Sequence, residues 1–148
     1  MERSLVLIKP DAMQRGLAGE IISRLESKGL NIIAIKMLRM DKTLAQHHYA
    51  IHKDKPFFVA LVDFITSSPI IAIIFQGKNA ATLIRQIMGA TDPAKASPGT
   101  IRGDLGIDIT HNLIHGSDSP ENASQEISLF FSEEEIFHYA RDIDKWSA

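Results

Sequence analysis

An α/β (α+β) sandwich, with a four-stranded, largely antiparallel sheet covered by helices, is the fold class this sequence predicts. Three observations carry the prediction. Apolar runs of strand length recur along the chain. Stretches with apolar residues at three- and four-residue spacing lie between them, and prolines, glycines or capping residues mark the borders. The resulting order is strand, helix, strand, helix, helix, strand, helix, long loop, short strand, helix. With no internal repeat, low-complexity run or linker, it indicates a ferredoxin-like sandwich, one domain over residues 1–148, with helices against one face of the sheet.

Each element has a local reason. Residues 4–8 (Ser-Leu-Val-Leu-Ile) form a short buried strand that stops at Lys9-Pro10-Asp11. Residues 18–28 place Ile21, Ile22 and Leu25 at helical spacing, with Gly29 as the stop. Residues 31–40 alternate through Ile33, Ile35 and Met37 and read as the second strand. Residues 43–51 make a short helix capped by Asp41 or Thr43. Pro56, as a first-turn residue, opens a helix that runs to about Thr66. Residues 70–75 are the third strand. Asn79 caps a helix with the stripe Leu83, Ile84, Ile87 and Met88, ending at Gly89.

The stretch from 90 to about 113 carries Pro93, Pro98, Gly99, Gly103 and Gly106, yet Leu105, Ile107, Ile109, Leu113 and Ile114 make it too apolar for disorder. A long loop of this kind inside a compact domain is ordered for a function. After His115-Gly116-Ser117-Asp118, Ser119 caps a helix with Pro120 as its first residue. A last helical signal covers 133–139.

Bulk properties remove several function classes. The 148 residues are 45% apolar and carry a net charge of -2, with no basic stripe, so no nucleic-acid partner is expected. The absence of cysteine excludes disulfides, thiolate metal sites and a cysteine nucleophile. No apolar run approaches the ~18 residues needed to span a bilayer. Met1-Glu2-Arg3 leads straight into a strand without a leader pattern, so no membrane partner and a cytoplasmic location are expected.

Among six histidines, His115 stands apart. It follows Leu113-Ile114, which indicates a semi-buried strand end, and precedes Gly116, where a backbone or ligand can approach closely. Neutral imidazole is nucleophilic near pH 7, which suits attack on a phosphoryl group. Taken alone, a histidine here fits an ordinary packed or surface residue better. Glu126 lies on or beside the stripe of Ala123, Ile127 and Phe130, where a carboxylate needs a partner. His115 or Ser117 can supply it, and a carboxylate on an imidazole orients the ring and supports its positive charge. The alternative is a solvated Glu at the stripe's edge.

Lys9 follows a buried strand, Arg85 projects off its helix's apolar stripe, and Arg102 sits in Pro98-Gly99-Thr100-Ile101-Arg102-Gly103. Each alone also reads as a surface charge; together they offer three cations to a polyphosphate. Phe57 lies beside the stripe Phe58, Leu61, Val62 and Ile65 and is either a further core ring or free to stack on a nucleobase. His48 and His52 have the i, i+4 spacing of a zinc pair, but no Glu-x-x-His or cysteine supports one. There is no Gly-x-x-x-x-Gly-Lys-Ser/Thr loop and no paired Asp for tight Mg²⁺ binding.

With these residues in place, the sequence resembles the nucleoside diphosphate kinase family over nearly its whole length. The resemblance rests on Asn112-Leu-Ile-His115-Gly-Ser-Asp118-Ser119, Ser97-Pro-Gly-Thr-Ile-Arg102-Gly-Asp104, Ile8-Lys-Pro-Asp11 with Gln14-Arg-Gly16, and His48-Tyr49 followed by Lys55-Pro-Phe-Phe58. It implies His115 as the histidine that takes the phosphate, on Nδ1, with Glu126 orienting it and Ser117 alongside. It implies phosphate contacts from Arg85, Thr91, Arg102 and His52, and places Tyr49 and Lys9 near the transferred group. Lys9 and Asn112 match ribose contacts, and Phe57 matches the stacking aromatic, with Ile109 opposite. Nucleoside triphosphates and diphosphates are the implied substrates. Mg²⁺ is implied, held by the nucleotide phosphates and water, and so is a homo-oligomer, hexamer or tetramer, packed through the long loop. Gln76 departs from the family's usual Glu. The rival readings are a non-catalytic nucleotide- or nucleic-acid-binding ferredoxin-like module and an inactive family member serving as a structural partner.

Overall fold

The computed structural model describes residues 1–147. Four strands form one antiparallel sheet: β1 (Glu2–Ile8), β2 (Asn31–Leu38), β3 (Ile70–Gly77) and β4 (Ile114–Gly116), in the order β2-β3-β1-β4. The chain crosses between them through α1 (Pro10–Gln14) and α2 (Ala18–Ser27), α3 (Lys42–His48) and α4 (Phe58–Ile65), α5 (Ala80–Met88) and α6 (Ile101–Leu105). α7 (Pro120–Phe130) and α8 (Asp144–Ser147) follow β4.

β1 is central, and its buried run explains why it reads as continuously apolar rather than alternating. Leu5 and Leu7 face a core with Ala34, Ala45, Val62, Ile65 and Phe130, from β2, α3, α4 and α7. Val6 and Ile8 face the opposite core with Ile21, Leu25, Ile84, Met88 and Ile101, from α2, α5 and α6. Helices therefore cover both faces, not one as expected: the stripes of α2 and α5 and those of α4 and α7 need separate surfaces to bury against.

Five local expectations shift. Residues 10–14 form a helix, because Pro10 takes a first-turn position instead of ending the chain's order. A register irregularity between Ile32 and Ala34 turns the second half of β2 over. Ile33 is buried as expected, but Ile35 and Met37 are 51% and 63% exposed and Ala34 faces the core. Pro56 does not start α4, which begins at Phe58 after a turn. Asn79 adopts a left-handed φ of 53° with no side-chain cap; the Glu2 carboxylate accepts from the Ala81 amide at 2.7 Å instead. Beyond α7 the helical signal shrinks to a 3-10 turn, Glu133–Glu135.

The long loop is ordered and contains α6, capped by Thr100, whose hydroxyl accepts from the Gly103 amide at 3.0 Å. A Cβ at Gly103 would lie 2.1 Å from the Ser97 carbonyl oxygen, and one at Gly116 would lie 2.7 Å from Met88 Sδ. Both glycines make room for the protein's own chain rather than for a ligand.

Candidate active site

β4 holds His115 opposite Leu7 on the edge of β1. The approach to it is strained: Leu113 has a φ of 75°, a left-handed conformation rarely adopted by a branched side chain. Two contacts hold it there. The Asp11 carboxylate accepts from the Leu113 amide at 3.1 Å, and the Lys9 amide donates to the Leu113 carbonyl at 2.9 Å. The start of the first helix thus fixes the backbone two residues before the histidine.

His115 Nε2 lies 3.1 Å from both oxygens of Glu126. A carboxylate only accepts, so Nε2 carries the proton and Nδ1 keeps its lone pair. The buried Ser117 hydroxyl donates to Glu126 Oε1 at 2.6 Å and accepts from the Leu5 amide at 3.2 Å. Burial raises the Glu126 carboxyl's pKa, but the hydrogen bonds from His115 and Ser117 and the electrostatic influence of the His115 and His48 rings outweigh it, leaving it below the usual range. The carboxylate is ionised and fixed on the ring it orients.

The cations arrive differently. Lys9 is buried, its ammonium donates to Asn112 Oδ1 at 2.8 Å, and Phe64 lies 5.6 Å from it. Burial, reinforced by Arg102 and opposed by Asp11, brings its pKa down to about 8. Asn112 in turn donates to the Thr91 carbonyl at 3.0 Å. Arg102 is also buried: it donates to the carbonyls of Asn112 and Gly89 at 3.2 Å each and of Ile114 at 2.6 Å. It is a clamp between α5, the long loop and β4, not a charge held out on a glycine hinge. Burial first, and then Arg85, lower its pKa to about 10. Arg85 is exposed and pairs with Asp118 at 2.6 Å. Thr91 is exposed at the start of the loop.

On the other side of His115, α3 ends at His48 and the chain tightens into a 3-10 turn, Ala50–His52. The break separates His48 from His52, so the i, i+4 pair does not form. His48 instead meets His115 edge-on at 4.7 Å and Phe130 at 5.6 Å, and its Nδ1 lies 4.0 Å from Glu126. Its imidazole is 1% exposed, and neither nitrogen has a hydrogen-bond partner. Burial, with His115 adding to it, lowers its pKa to about 3, so it is neutral. Tyr49 packs on His48 at 4.7 Å; burial and then Glu126 raise its phenol to about 12, so it remains a hydrogen-bond donor. His52 lies 5.4 Å from the Phe57 ring. Phe57 is 46% exposed and Ile109 is 60% exposed, so neither belongs to the core.

These contacts join His115, Glu126 and Ser117 to His48 and Tyr49, and Lys9 to Asn112, Thr91 and Arg102. Two surface grooves, of about 560 and 350 Å³, lie away from His115. Residue patterns alone miss three participants. Asp11 fixes Leu113, Asp118 holds Arg85, and His48 lies beside the nucleophile candidate. The first two were visible only as parts of motifs, and His48 only as half of a discounted metal pair.

The nucleoside diphosphate kinase family model matches residues 2–136. The nucleoside diphosphate kinase of Archaeoglobus fulgidus is 55% identical over 146 residues, covering 99% of this chain and 97% of that protein. That of Pelotomaculum thermopropionicum is 56% identical, at 99% and 98% coverage. The structure of a halophilic nucleoside diphosphate kinase from Halobacterium salinarum in complex with CDP superposes with a TM-score of 0.96 at 51% identity, covering 99% of this chain and 98% of that one. Matches of this identity over the full length of both partners establish that the chain belongs to the nucleoside diphosphate kinase family.

Proposed function

We propose that this nucleoside diphosphate kinase works by two matched half-reactions with His115 as the covalent carrier, the whole chain acting as one such domain. His115 Nδ1 attacks the γ-phosphorus of a nucleoside triphosphate, typically ATP. An N–P bond forms, the bond to the β-phosphate oxygen breaks, and the diphosphate leaves. A second nucleoside diphosphate then takes the phosphate back from His115. The observation that most supports this reading is the tautomer: both Glu126 oxygens at 3.1 Å from Nε2 leave Nδ1 as the nucleophilic nitrogen. The same carboxylate supports the positive charge that the ring gains when the N–P bond forms.

Lys9 and Tyr49 stabilise charge on the transferring phosphoryl group, and Ser117 steadies Glu126. Arg85, Arg102, Thr91 and His52 contact phosphates. Lys9 and Asn112 contact the ribose hydroxyls, consistent with the bond between them. Arg102 has spare N–H groups beyond its three carbonyls. Phe57 stacks on the base with Ile109 opposite, and stacking without base-edge contacts gives weak base selectivity. The CDP bound to the Halobacterium relative supports a diphosphate as the second substrate.

Catalysis in the family depends on a divalent metal. We assign Mg²⁺. Of the carboxylates at the site, Glu126 and Asp118 are taken by His115, Ser117 and Arg85, and Asp11 holds the Leu113 amide, which fits an ion arriving on the nucleotide's phosphates and water. Mg²⁺ supplies charge neutralisation on those phosphates. No helix among the described residues is long and apolar enough to cross a membrane. We further propose a cytoplasmic homo-oligomer, hexamer favoured over tetramer, packed through the long loop.

A coupled assay with ATP plus a series of nucleoside diphosphates tests this function. Comparable turnover across several bases is expected. Nucleotide binding without phosphate exchange would instead favour a non-catalytic module.

A further inference from the structure

His48 has no part in the transfer just described, yet its burial beside His115 needs a reason. A buried imidazole with both nitrogens unpartnered carries an uncompensated desolvation cost. Its Nδ1 is too far from Glu126, at 4.0 Å, for a hydrogen bond to offset this. What its nitrogens face is informative: His115 Nε2 and a Glu126 oxygen are 3.1 Å apart, and one ligand atom from each of the three residues lies within 4.8 Å of the others.

We propose that His48, His115 and Glu126 form a site for a borderline transition ion of the zinc class, and that an ion bound there blocks phosphorylation of His115. Two neutral imidazole nitrogens and one carboxylate are the three-ligand set of an open zinc centre, with bonds of about 2.0–2.2 Å. Such bonds set ligand atoms about 3.4 Å apart in a tetrahedron, so closure from separations within 4.8 Å needs at most about 1.4 Å of movement. His115 and Glu126 are partly exposed, which leaves an entry path and a fourth position for water. Nitrogen donors disfavour Mg²⁺, so the site does not compete for the ion that travels with the nucleotide.

The inhibitory consequence rests on His115 Nδ1 being the nucleophile. When an ion takes the Nε2 lone pair, the proton formerly on Nε2 moves to Nδ1. The ring stays neutral, but Nδ1 becomes an N–H donor with no lone pair for phosphorus. Glu126 is at the same time withdrawn from orienting the ring. The metal-bound and phosphorylated states therefore exclude one another.

The test has two arms. In the first, metal-stripped, nucleotide-free protein is titrated with CoCl₂ and then ZnCl₂, following the visible absorption of tetrahedral cobalt and calorimetry. One ion per chain is expected. His48→Phe, which keeps a ring against Phe130, and Glu126→Gln should each weaken zinc by at least about 100-fold, since even outer partners of a metal ligand are worth 10–100-fold. His47→Ala, an exposed neighbour on α3, should leave it unchanged. In the second arm, γ-labelled ATP with Mg²⁺ is added at a zinc concentration well below that of ATP. Wild type should lose its label, whereas His48→Phe should label at its own zinc-free level. Undiminished zinc affinity in both His48→Phe and Glu126→Gln would overturn the site. Equal zinc inhibition in His48→Phe would overturn the blocking role and assign inhibition to zinc on the nucleotide. The cobalt spectrum is read without nucleotide, so a protein that never labels refutes the transfer mechanism without touching the metal site.

Discussion

Replacing Glu126 with Gln should slow phosphorylation of His115 while barely changing nucleotide affinity, because the carboxylate serves two donors at once. His115 Nε2–H at 3.1 Å and the Ser117 hydroxyl at 2.6 Å both point at it. An amide has one oxygen and one NH₂. If its oxygen serves Ser117, the NH₂ faces Nε2 and favours the tautomer with the proton on Nδ1, which cannot attack phosphorus. If the amide flips, His115 is served but Ser117 must give up its 2.6 Å bond, and the negative charge under the imidazolium is gone either way. A hydrogen bond to a charged group contributes about 1.5–3 kcal/mol. At 1.36 kcal/mol per tenfold in rate, the loss corresponds to about 10- to 150-fold. Rapid-quench labelling with γ-labelled ATP measures this step directly, and equilibrium titration gives the affinity. Phosphorylation of Glu126→Gln at the wild-type rate would refute the reasoning; a loss confined to affinity would move Glu126 from orienting the ring to binding substrate.

Three further outcomes follow from the same geometry. Lys9 is charged only below about pH 8, so kcat/KM should fall as pH rises through that value, and Lys9→Arg should shift the fall upward; the pH profile of the free enzyme checks it. His48 has a folded pKa of about 3 against an unfolded value near 6.5, so the unfolded chain binds the extra proton in that window and stability declines as pH drops below 6.5. Between pH 6.5 and 5 this amounts to about 2 kcal/mol, and urea melts of His48→Phe at pH 5 and 8 should differ less than those of wild type by about that amount. Arg102→Ala removes a donor from the carbonyls of Gly89, Asn112 and Ile114, of which, among the described residues, only Asn112's keeps another, the Ile114 amide, and should destabilise by about 2–6 kcal/mol, at about 1–3 kcal/mol for each of the two carbonyls left unpaired. Denaturant melts at one fixed protein concentration read that loss, and an unshifted midpoint would show the clamp to be dispensable.

What the sequence made legible was local. Ser119 and Pro120 announce the start of α7 because capping is decided within four residues, and the Ser119 hydroxyl does accept from the Asn122 amide at 3.1 Å. Glu126 could be singled out because a charge beside an apolar stripe needs a partner, and Ser117 and His115 lie just upstream of the same helix. Features that depend on distant segments stayed hidden. The turned-over half of β2 depends on its pairing with β3, which alternation within residues 31–40 cannot reveal. Arg102 looks like a loop cation until the carbonyls it spans are known, and those belong to residues 13, 10 and 12 positions away. The pairing of His48 with His115 joins the end of α3 to a sheet edge, and only the stacking of α3 and α7 on one face of β1 brings them together.

The central claim is that the phosphate passes through Nδ1 of His115. The most direct measurement is to phosphorylate the protein with γ-labelled ATP, isolate the acid-labile, base-stable product, and locate the phosphate by peptide mapping and by ³¹P and ring-nitrogen NMR. Phosphate on His115 Nδ1, with Nε2 still protonated and His115→Gln unlabelled, is the predicted result. Phosphate on any other residue, or undiminished labelling of His115→Gln, would contradict it.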